Sequence, residues 1–334
     1  MIDFDLLKNI LIKNNSFLIT THVNPDADAI GSEIALYFIL KELGKEIFIV
    51  NHSDTPYNLV FLDFDKKIEK YDEAKHAVLF DKADVLIGVD FNRSDRIISM
   101  RQKFNDSLKL KIAIDHHLDL EDFVNHFFLD NNYCATGHII YDLIKKTNIV
   151  NLNYSIAYNI YAAIMTDTGS FRFEKTTPEV HLIAAELLKF GVVPGEVFDK
   201  IYDQSLFSKI KLLGTALNTI QLHGEKQQIG YMILTRKMFE LTGALESDTD
   251  GFVNFSLSVE NVKMGILFLE LKQGFKVSFR SKGNIPVNKL AAEFGGGGHF
   301  NAAGLRITTG EMAEFIPRIL SRAEEFMASY IKRD

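Results

Sequence analysis

The sequence predicts an α/β fold: a mostly parallel sheet flanked by helices, followed by a smaller α/β domain with its own mixed sheet. Three observations predict it. Apolar, strand-like runs alternate with amphipathic stretches through the first 190 residues, which implies a parallel sheet covered on both faces. After residue 228 the pattern changes, and two apolar runs are separated only by Lys272, Gln273 and Gly274, a hairpin signal. A length of 334 residues suggests about two domains, and 47% hydrophobic with 24% charged residues is a globular mix, which excludes disorder, collagen and coiled coil.

Residues 17–21 (FLITT) read as a buried strand. Residues 32–43 have helical spacing, with Ser32 as the expected N-cap and Gly44 as the stop. Residues 46–50 (EIFIV), 84–90 (DVLIGVD) and 111–115 (KIAID) read as further strands, and 133–146, 153–165 and 182–190 as helices. Residues 191–221 read as helical turns without strands. The expected division is therefore a first domain over 1–190, a helical connector over 191–224 and a second domain over 225–334. In the second domain, strands are expected at 229–235, 264–271 and 275–281, and helices at 287–294 and 312–331.

Composition narrows the function. The formal net charge is -7, without the basic bias that a protein tracking long nucleic acid uses to neutralise phosphates. A short anionic ligand needs only a local positive site. The first residues place acids where a signal peptide wants bases, and nowhere do about 18 consecutive apolar residues occur, so a cytoplasmic protein without a membrane span is expected. The single cysteine, Cys134, cannot form an intramolecular disulfide, which fits a reducing compartment.

The informative pattern is where the acids and histidines fall. His22, Asp26 and Asp28 follow the first strand, Asp90 ends the 84–90 strand, and Asp115, His116 and His117 end the 111–115 strand. Asp167 follows a helical stretch and precedes Gly169. Ligands of open parallel sheets bind at the carboxyl ends of strands, so three strands deliver polar groups to one edge. Converging carboxylates repel, by about 1 kcal/mol per pair at 4 Å even in water and several-fold more near protein. Divalent cations remove the difficulty. Oxygen and imidazole donors favour Mn²⁺, with Mg²⁺ or Co²⁺ as substitutes, over a structural zinc. This many donors suits two cations sharing a bridging carboxylate.

These residues resemble the DHH phosphoesterase superfamily. HVNPDADAIGS is similar to its first motif, VDFNRSDRI to its second, IAIDHH to the motif that names it and IYAAIMTDTGSF to its fourth, while GGGGHFNAAG (295–304) resembles the signature of the DHH-associated C-terminal domain, first subfamily. Within the superfamily, the two-domain layout resembles the nanoRNase (oligoribonuclease) and pAp phosphatase type. The resemblance implies that 1–190 is the catalytic, metal-binding domain and 225–334 the substrate-binding domain, with the active site in the cleft between them. It implies His22, Asp26 and Asp90 on one cation, and Asp28, Asp90, His116 and Asp167 on the other, with Asp90 bridging. His117 would touch the phosphate or its leaving oxygen, and Asp115 would orient a neighbour or cap its strand. Asp90, His116 and His117 are thus the implied catalytic residues.

The glycine run is neither a P-loop nor Gly-x-Gly-x-x-Gly. Taken alone, the run reads as a flexible loop and Arg280 as a surface residue; the resemblance implies instead that Gly296, Gly297 and Gly298 with His299 grip an anionic or nucleotide group and that Arg280 pairs with the same phosphate. Arg93 and Arg96 either steer an anion or pair with nearby acids, and His138 stays open.

The implied activity is Mn²⁺-dependent, two-metal, activated-water hydrolysis of short RNA or DNA oligonucleotides to nucleoside monophosphates, with removal of the 3′-phosphate of pAp alongside it. Long duplex nucleic acid and membranes are not expected partners, and a homodimer is compatible. Two alternatives stay open: a phosphodiesterase for linear dinucleotides such as pApA or pGpG, and a nucleotide-binding sensor without turnover.

Overall fold

An apolar strand buried on both faces needs two layers of cover, and the element order supplies them. The structure, a computed structural model, describes residues 2–117 and 120–331. It divides into two units, Met1–Gln204 and Ser205–Asp334. The first unit runs α1 (Phe4–Lys13), β1 (Ser16–Thr21), α2 (Ala27–Glu42), β2 (Glu46–Asn51), β3 (Ile68–Lys70), α3 (Glu73–His76), α4 (Leu79–Lys82), β4 (Val85–Val89), α5 (Arg101–Asp106), β5 (Leu110–Asp115), β6 (His126–Leu129), α6 (Thr136–Thr147), α7 (Tyr154–Asp167), α8 (Pro178–Leu188) and α9 (Pro194–Tyr202). Its six strands form a parallel sheet in the order β3-β2-β1-β4-β5-β6. Doubly wound sheets of this order bind ligands where the winding reverses, beyond the carboxyl ends of the two central strands. Here those strands are β1 and β4.

Alternation along these strands feeds two cores. Phe17 and Ile19 of β1 and Val85, Ile87 and Val89 of β4 face one core. Leu18 and Leu86 face the other. Each such side chain contributes about 1.5–3 kcal/mol by leaving water. Helix α2 is buried from Ala27 through Leu40, and its apolar residues accordingly run almost all the way round. It lies close against α7 because Gly31 has no side chain: a Cβ there would stand 2.6 Å from the Asn159 carbonyl oxygen. Gly137 does the same for α6, where a Cβ would stand 2.5 Å from the Ala163 methyl. These two glycines let α2, α6 and α7 meet behind the β1 and β4 tips.

The start of α2 corrects the sequence-based expectation. Asp26, not Ser32, is the N-cap, and its Oδ1 accepts the N–H groups of Asp28 and Ala29 at 3.0 Å each. Ser32 sits inside the helix and donates to Asp28 at 3.0 Å. Strands β3 and β6 were not anticipated, since three or four residues are too short to show a period.

The second unit runs α10 (Phe207–Leu217), β7 (Gln221–His223), β8 (Ile229–Leu234), α11 (Arg236–Thr242), α12 (Val253–Leu257), β9 (Met264–Glu270), β10 (Phe275–Ser281), α13 (Val287–Glu293), β11 (Gly297–His299), β12 (Ala302–Ile307) and α14 (Met312–Ile331). Its sheet has the order β11-β12-β10-β9-β8-β7 and is mixed: β8 and β9 pair in parallel, the other neighbours antiparallel. The β9–β10 hairpin requires Gly274, which has φ +69° and whose absent Cβ would collide with the Ile307 carbonyl oxygen at 1.8 Å. The glycine run is not a loop throughout. Residues 297–299 form an edge strand paired with β12. Among the described residues, no helix is long and apolar enough to cross a membrane.

Candidate functional site

The tips of β1, β4 and β5 carry His22, Asp90 and His116 to the point where the sheet's winding reverses. Asp90 follows β4 with φ +62°, a left-handed conformation that costs a non-glycine residue about 1–2 kcal/mol. Its backbone N–H still reaches the Ile114 carbonyl at 2.9 Å. The next residue, Phe91, folds its ring back onto Gly88, where a Cβ would be only 2.7 Å from the ring. The strand thus stops abruptly and turns the Asp90 carboxylate, which is buried, into the site.

Seven of the expected residues converge there. Three overlapping groups each place one donor atom per residue within 4.8 Å of the others: His22, Asp26 and Asp90; Asp28, His116 and Asp167; Asp90, His116 and His117. The two oxygens of Asp90 face different neighbours. Oδ2 lies 3.6 Å from His22 Nε2, and Oδ1 lies 3.6 Å from His116 Nε2. His116 Nε2 is also 3.1 Å from Asp167 Oδ2 and 3.5 Å from Asp28 Oδ2.

The protonation chemistry shows what gathering these groups costs the protein. Burial pushes the Asp28 carboxyl up to about 7, with Asp167 adding to the effect. Burial also raises Asp90 well above the usual carboxylate range, reinforced by Asp28, Asp26, Asp167 and Asp115. Burial opposes the His116 imidazolium, but Asp167, Asp28 and Asp115 outweigh it and push His116 up to about 9. His22 is shifted the other way, downward, by burial. Its Nδ1 donates to the Val23 carbonyl at 2.9 Å, so the neutral ring turns the lone pair of Nε2 toward an Asp90 oxygen. An imidazole lone pair and a carboxylate oxygen 3.6 Å apart need a proton or a metal cation between them. The Nδ1 of buried His116 also lacks a hydrogen-bond partner among the described residues. The donor set therefore fits hard or borderline divalent cations, and a cation arriving here would displace protons from Asp28, Asp90 and His116.

Supporting groups hold the donors in place. Asp28, fully buried, accepts from the backbone N–H of Thr136 at 2.8 Å and of Gly137 at 3.0 Å. It thus caps α6, whose own N-cap, Ala135, has no side chain to offer. The Thr136 hydroxyl donates to Asp90 Oδ1 at 2.8 Å. Asp115 Oδ1 accepts from the His116 N–H at 2.8 Å and pairs with His117 Nδ1 at 2.7 Å, orienting that ring. Deeper in, Asn51 accepts from the Thr21 N–H at 3.0 Å and donates to Glu33 at 2.8 Å.

Comparison with known proteins decides the family. The DHH family, N-terminal domain, matches residues 16–166, and the DHHA1 domain matches residues 241–329. A Thermus thermophilus protein named bifunctional oligoribonuclease and PAP phosphatase NrnA is 34% identical over 307 residues, covering 92% of this chain and 89% of the relative. The chain belongs to the DHH family of phosphoesterases. A Bacillus subtilis protein of the same name is 28% identical, covering 93% of this chain and 94% of its own. A solved structure of an exopolyphosphatase-related protein from Bacteroides fragilis superposes with a TM-score of 0.91 at 29% identity, covering 97% of both chains.

The remaining expected residues lie in the DHHA1-bearing unit. Arg280 pairs in register with Ala302, which pairs with His299, so the three occupy one row across β10, β12 and β11. Arg280 is half-buried and donates to the Phe279 carbonyl at 3.0 Å. The His299 side chain lies outside the described part of the structure. Gly296 and Gly298 have packing reasons to be glycine: a Cβ would stand 2.3 Å from the Gly304 oxygen or 2.6 Å from the Ala302 oxygen, respectively. Gly297 has none, since open space surrounds it. In the DHH unit, Arg93 pairs with Asp95 at 2.9 Å. His138 is buried beside Cys134, its Nδ1 3.5 Å from the sulfur.

Sequence reasoning missed Thr136, Asn51 and Glu33. Thr136 gave no signal, because a helix expected from residue 133 has Asn132 as a ready cap, and only the structure starts α6 at Thr136 behind Ala135. Asn51 and Glu33 gave no signal, because their pairing depends on the packing of α2 against β2.

Proposed function

We propose that this DHH-family phosphoesterase is a Mn²⁺-dependent phosphodiesterase that hydrolyses short oligonucleotides to nucleoside monophosphates and also removes the 3′-phosphate of pAp. The observation that carries it is the buried Asp90 carboxylate, whose two oxygens face two separate donor groups at the switch point of the sheet. The names of the Thermus and Bacillus relatives, oligoribonuclease and PAP phosphatase, supply the substrate class.

In this reading His22, Asp26 and Asp90 hold one cation, and Asp28, Asp90, His116 and Asp167 the other, with Mg²⁺ or Co²⁺ able to substitute. Bound cations of this kind polarise the scissile phosphate and make water nucleophilic near neutral pH. The chain does the rest. The Thr136 hydroxyl and the N-terminus of α6 fix Asp90 and Asp28 before substrate arrives. Asp115 holds His117 through Nδ1, which leaves Nε2 to face the substrate. Through Nε2, His117 donates a hydrogen bond to the phosphate or a proton to the leaving oxygen. Arg280, Gly296, Gly297, Gly298 and His299 hold a second phosphate or base of the substrate. Few phosphates need be neutralised, which suits a chain of net charge -7.

The test is product analysis on 2-mers, 5-mers and 24-mers after removal of metal with EDTA and addition of Mn²⁺. Monophosphate release from the short substrates, restored by Mn²⁺ and lost in Asp90→Ala, is expected. Preference for the 24-mer, or unchanged activity in Asp90→Ala, overturns the assignment.

A further inference from the structure

One layer beneath the candidate ligands, the DHH unit buries polar side chains that bind no cation themselves. Thr21, Glu33 and Asn51 are each fully buried, at a level where a parallel sheet covered on both faces ordinarily carries Val, Ile or Leu. Hydrogen bonds join them into a belt across four elements. Glu33, inside α2, accepts from Asn51 Nδ2 at 2.8 Å. Asn51, the last residue of β2, accepts the Thr21 backbone N–H at 3.0 Å. The Thr21 hydroxyl, at the end of β1, donates to the Val89 carbonyl of β4 at 2.7 Å. Thr21 immediately precedes His22, Val89 immediately precedes Asp90, and Glu33 shares α2 with Asp28 and its N-cap Asp26. Glu33 Oε1 has no partner among the described residues, a cost that packing alone gives no reason to bear.

The belt begins where the backbone ladder stops. Strands β1 and β2 pair in register from Ser16↔Glu46 to Ile19↔Ile49, whereas β1 and β4 stay paired through Thr21↔Val89. The Asn51 side chain therefore ties the tip of β1 to β2 in place of backbone. The candidate ligands differ in how much they depend on this tie. Asp28 accepts bonds of its own from Ser32, Thr136 and Gly137. Asp90 has the Thr136 hydroxyl, and its N–H holds the Ile114 carbonyl of β5. His22 has less. Among the described residues its ring hydrogen-bonds only the adjoining Val23 carbonyl. The loop beyond it is tied by the Val23 N–H to the Arg96 carbonyl at 2.8 Å and by the Asn24 N–H to Ser53 Oγ at 3.0 Å.

We propose that Asn51, held by Glu33, is the positioning residue that sets His22 against Asp90, and that it governs the cation position of His22, Asp26 and Asp90 but not that of Asp28, His116 and Asp167. This rests on the two-cation reading and deepens it. A buried hydrogen-bond network fixes one arrangement, because each alternative strands a polar group. Without the Asn51 acceptor the β1 tip loses its registration with α2, and the His22 ring no longer meets Asp26 and Asp90. The other donors keep their own supports.

The test is calorimetric titration of the metal-free full chain with Mn²⁺, alongside monophosphate release from a dinucleotide. His22→Ala identifies the binding step that belongs to the first position. Asn51→Ser, too short to reach both partners, should weaken that step about 10–100-fold and leave the other within about twofold. In the His22→Ala background the same change should add no further loss. Glu33→Met, close to Glu in shape but without an acceptor oxygen, should weaken the same step, whereas Glu33→Gln, which keeps an acceptor for the Asn51 amide, should bind as wild type does. This second pair decides the matter if Asn51→Ser does not fold. Wild-type affinity at both positions in Asn51→Ser and Glu33→Met overturns the proposal. Equal weakening of both positions also overturns it, by making Asn51 a residue of general packing. Failure of the larger reading looks different: wild type then binds fewer than two Mn²⁺ or releases no monophosphate.

Discussion

The two units carry their candidate residues under opposite physical conditions. In the DHH unit, acids and a histidine are buried against their own electrostatics: Asp28 and Asp90 are pushed upward and His116 is pushed up to about 9, and the helix cap that Asp28 supplies needs only one carboxylate, not the convergence of four. In the DHHA1-bearing unit the candidates are mostly glycines, and two of the three have a sufficient reason in the close pairing of β11 and β12. A residue type that the fold cannot explain is stronger evidence for a ligand than one it can. The cation site therefore stands on structure, while the second-unit residues stand on Gly297, Arg280 and the family.

The largest expected effect lies at the shared carboxylate. Asp90→Ala removes the group that faces both donor clusters, and Mn²⁺-dependent hydrolysis should fall on the order of 10³-fold or more, measured as kcat/KM on a dinucleotide. Retained activity would make the two clusters independent of Asp90. Next comes the support around it. Asp115→Asn and Thr136→Val leave every candidate ligand in place and should each lower metal affinity or activity about 10–100-fold. A titration with Mn²⁺ showing wild-type affinity and rate in both would reduce Asp115 to a strand cap and Thr136 to packing.

The contrast in the second unit is sharpened by paired substitutions. Gly296→Ala drives a Cβ into the Gly304 oxygen and should cost about 1–3 kcal/mol in denaturant unfolding. Gly297→Ala meets open space, so the fold should keep its stability. A rise in KM for Gly297→Ala alone would mark a contact with substrate, and unchanged kinetics would return the whole run to architecture.

The smallest effect concerns Glu33, buried behind β1 and pushed up to about 8 by burial. Folded Glu33 holds its proton more tightly than unfolded Glu33, which titrates near 4.5. Its protonated form is fully favourable below that value, and stability is lost as pH rises toward 8. Asp28 adds a loss of the same sign up to about 7. Thermal unfolding of metal-free protein should therefore show Tm falling from pH 5 to pH 8, and Glu33→Gln should flatten part of that slope. An identical slope in the variant would mean that Glu33 is ionised at neutral pH, with a partner.

Much of the DHH unit was legible because its signals are local. Strands β1, β4 and β5 are apolar runs that end in acids or histidines, so alternation and strand-end position together marked His22, Asp90 and His116. Helix α2 was misplaced at its start because Ser32 resembles a cap in sequence, whereas Asp26 holds the helix N-terminus through geometry that spacing does not encode. Strand β11 was hidden because glycines carry no periodicity. The supports Thr136, Asn51 and Glu33 were illegible for a further reason: Thr136 acts on Asp90 from a different element, and Asn51 meets Glu33 only through the packing of α2 against β2.

The most direct measurement is anomalous diffraction at the manganese edge from crystals soaked in Mn²⁺. Two peaks are expected, one among His22, Asp26 and Asp90 and the other among Asp28, Asp90, His116 and Asp167, with an Asp90 oxygen on each. A single peak that Asp90 does not touch, or none at all with these side chains parted around solvent, would contradict the assignment.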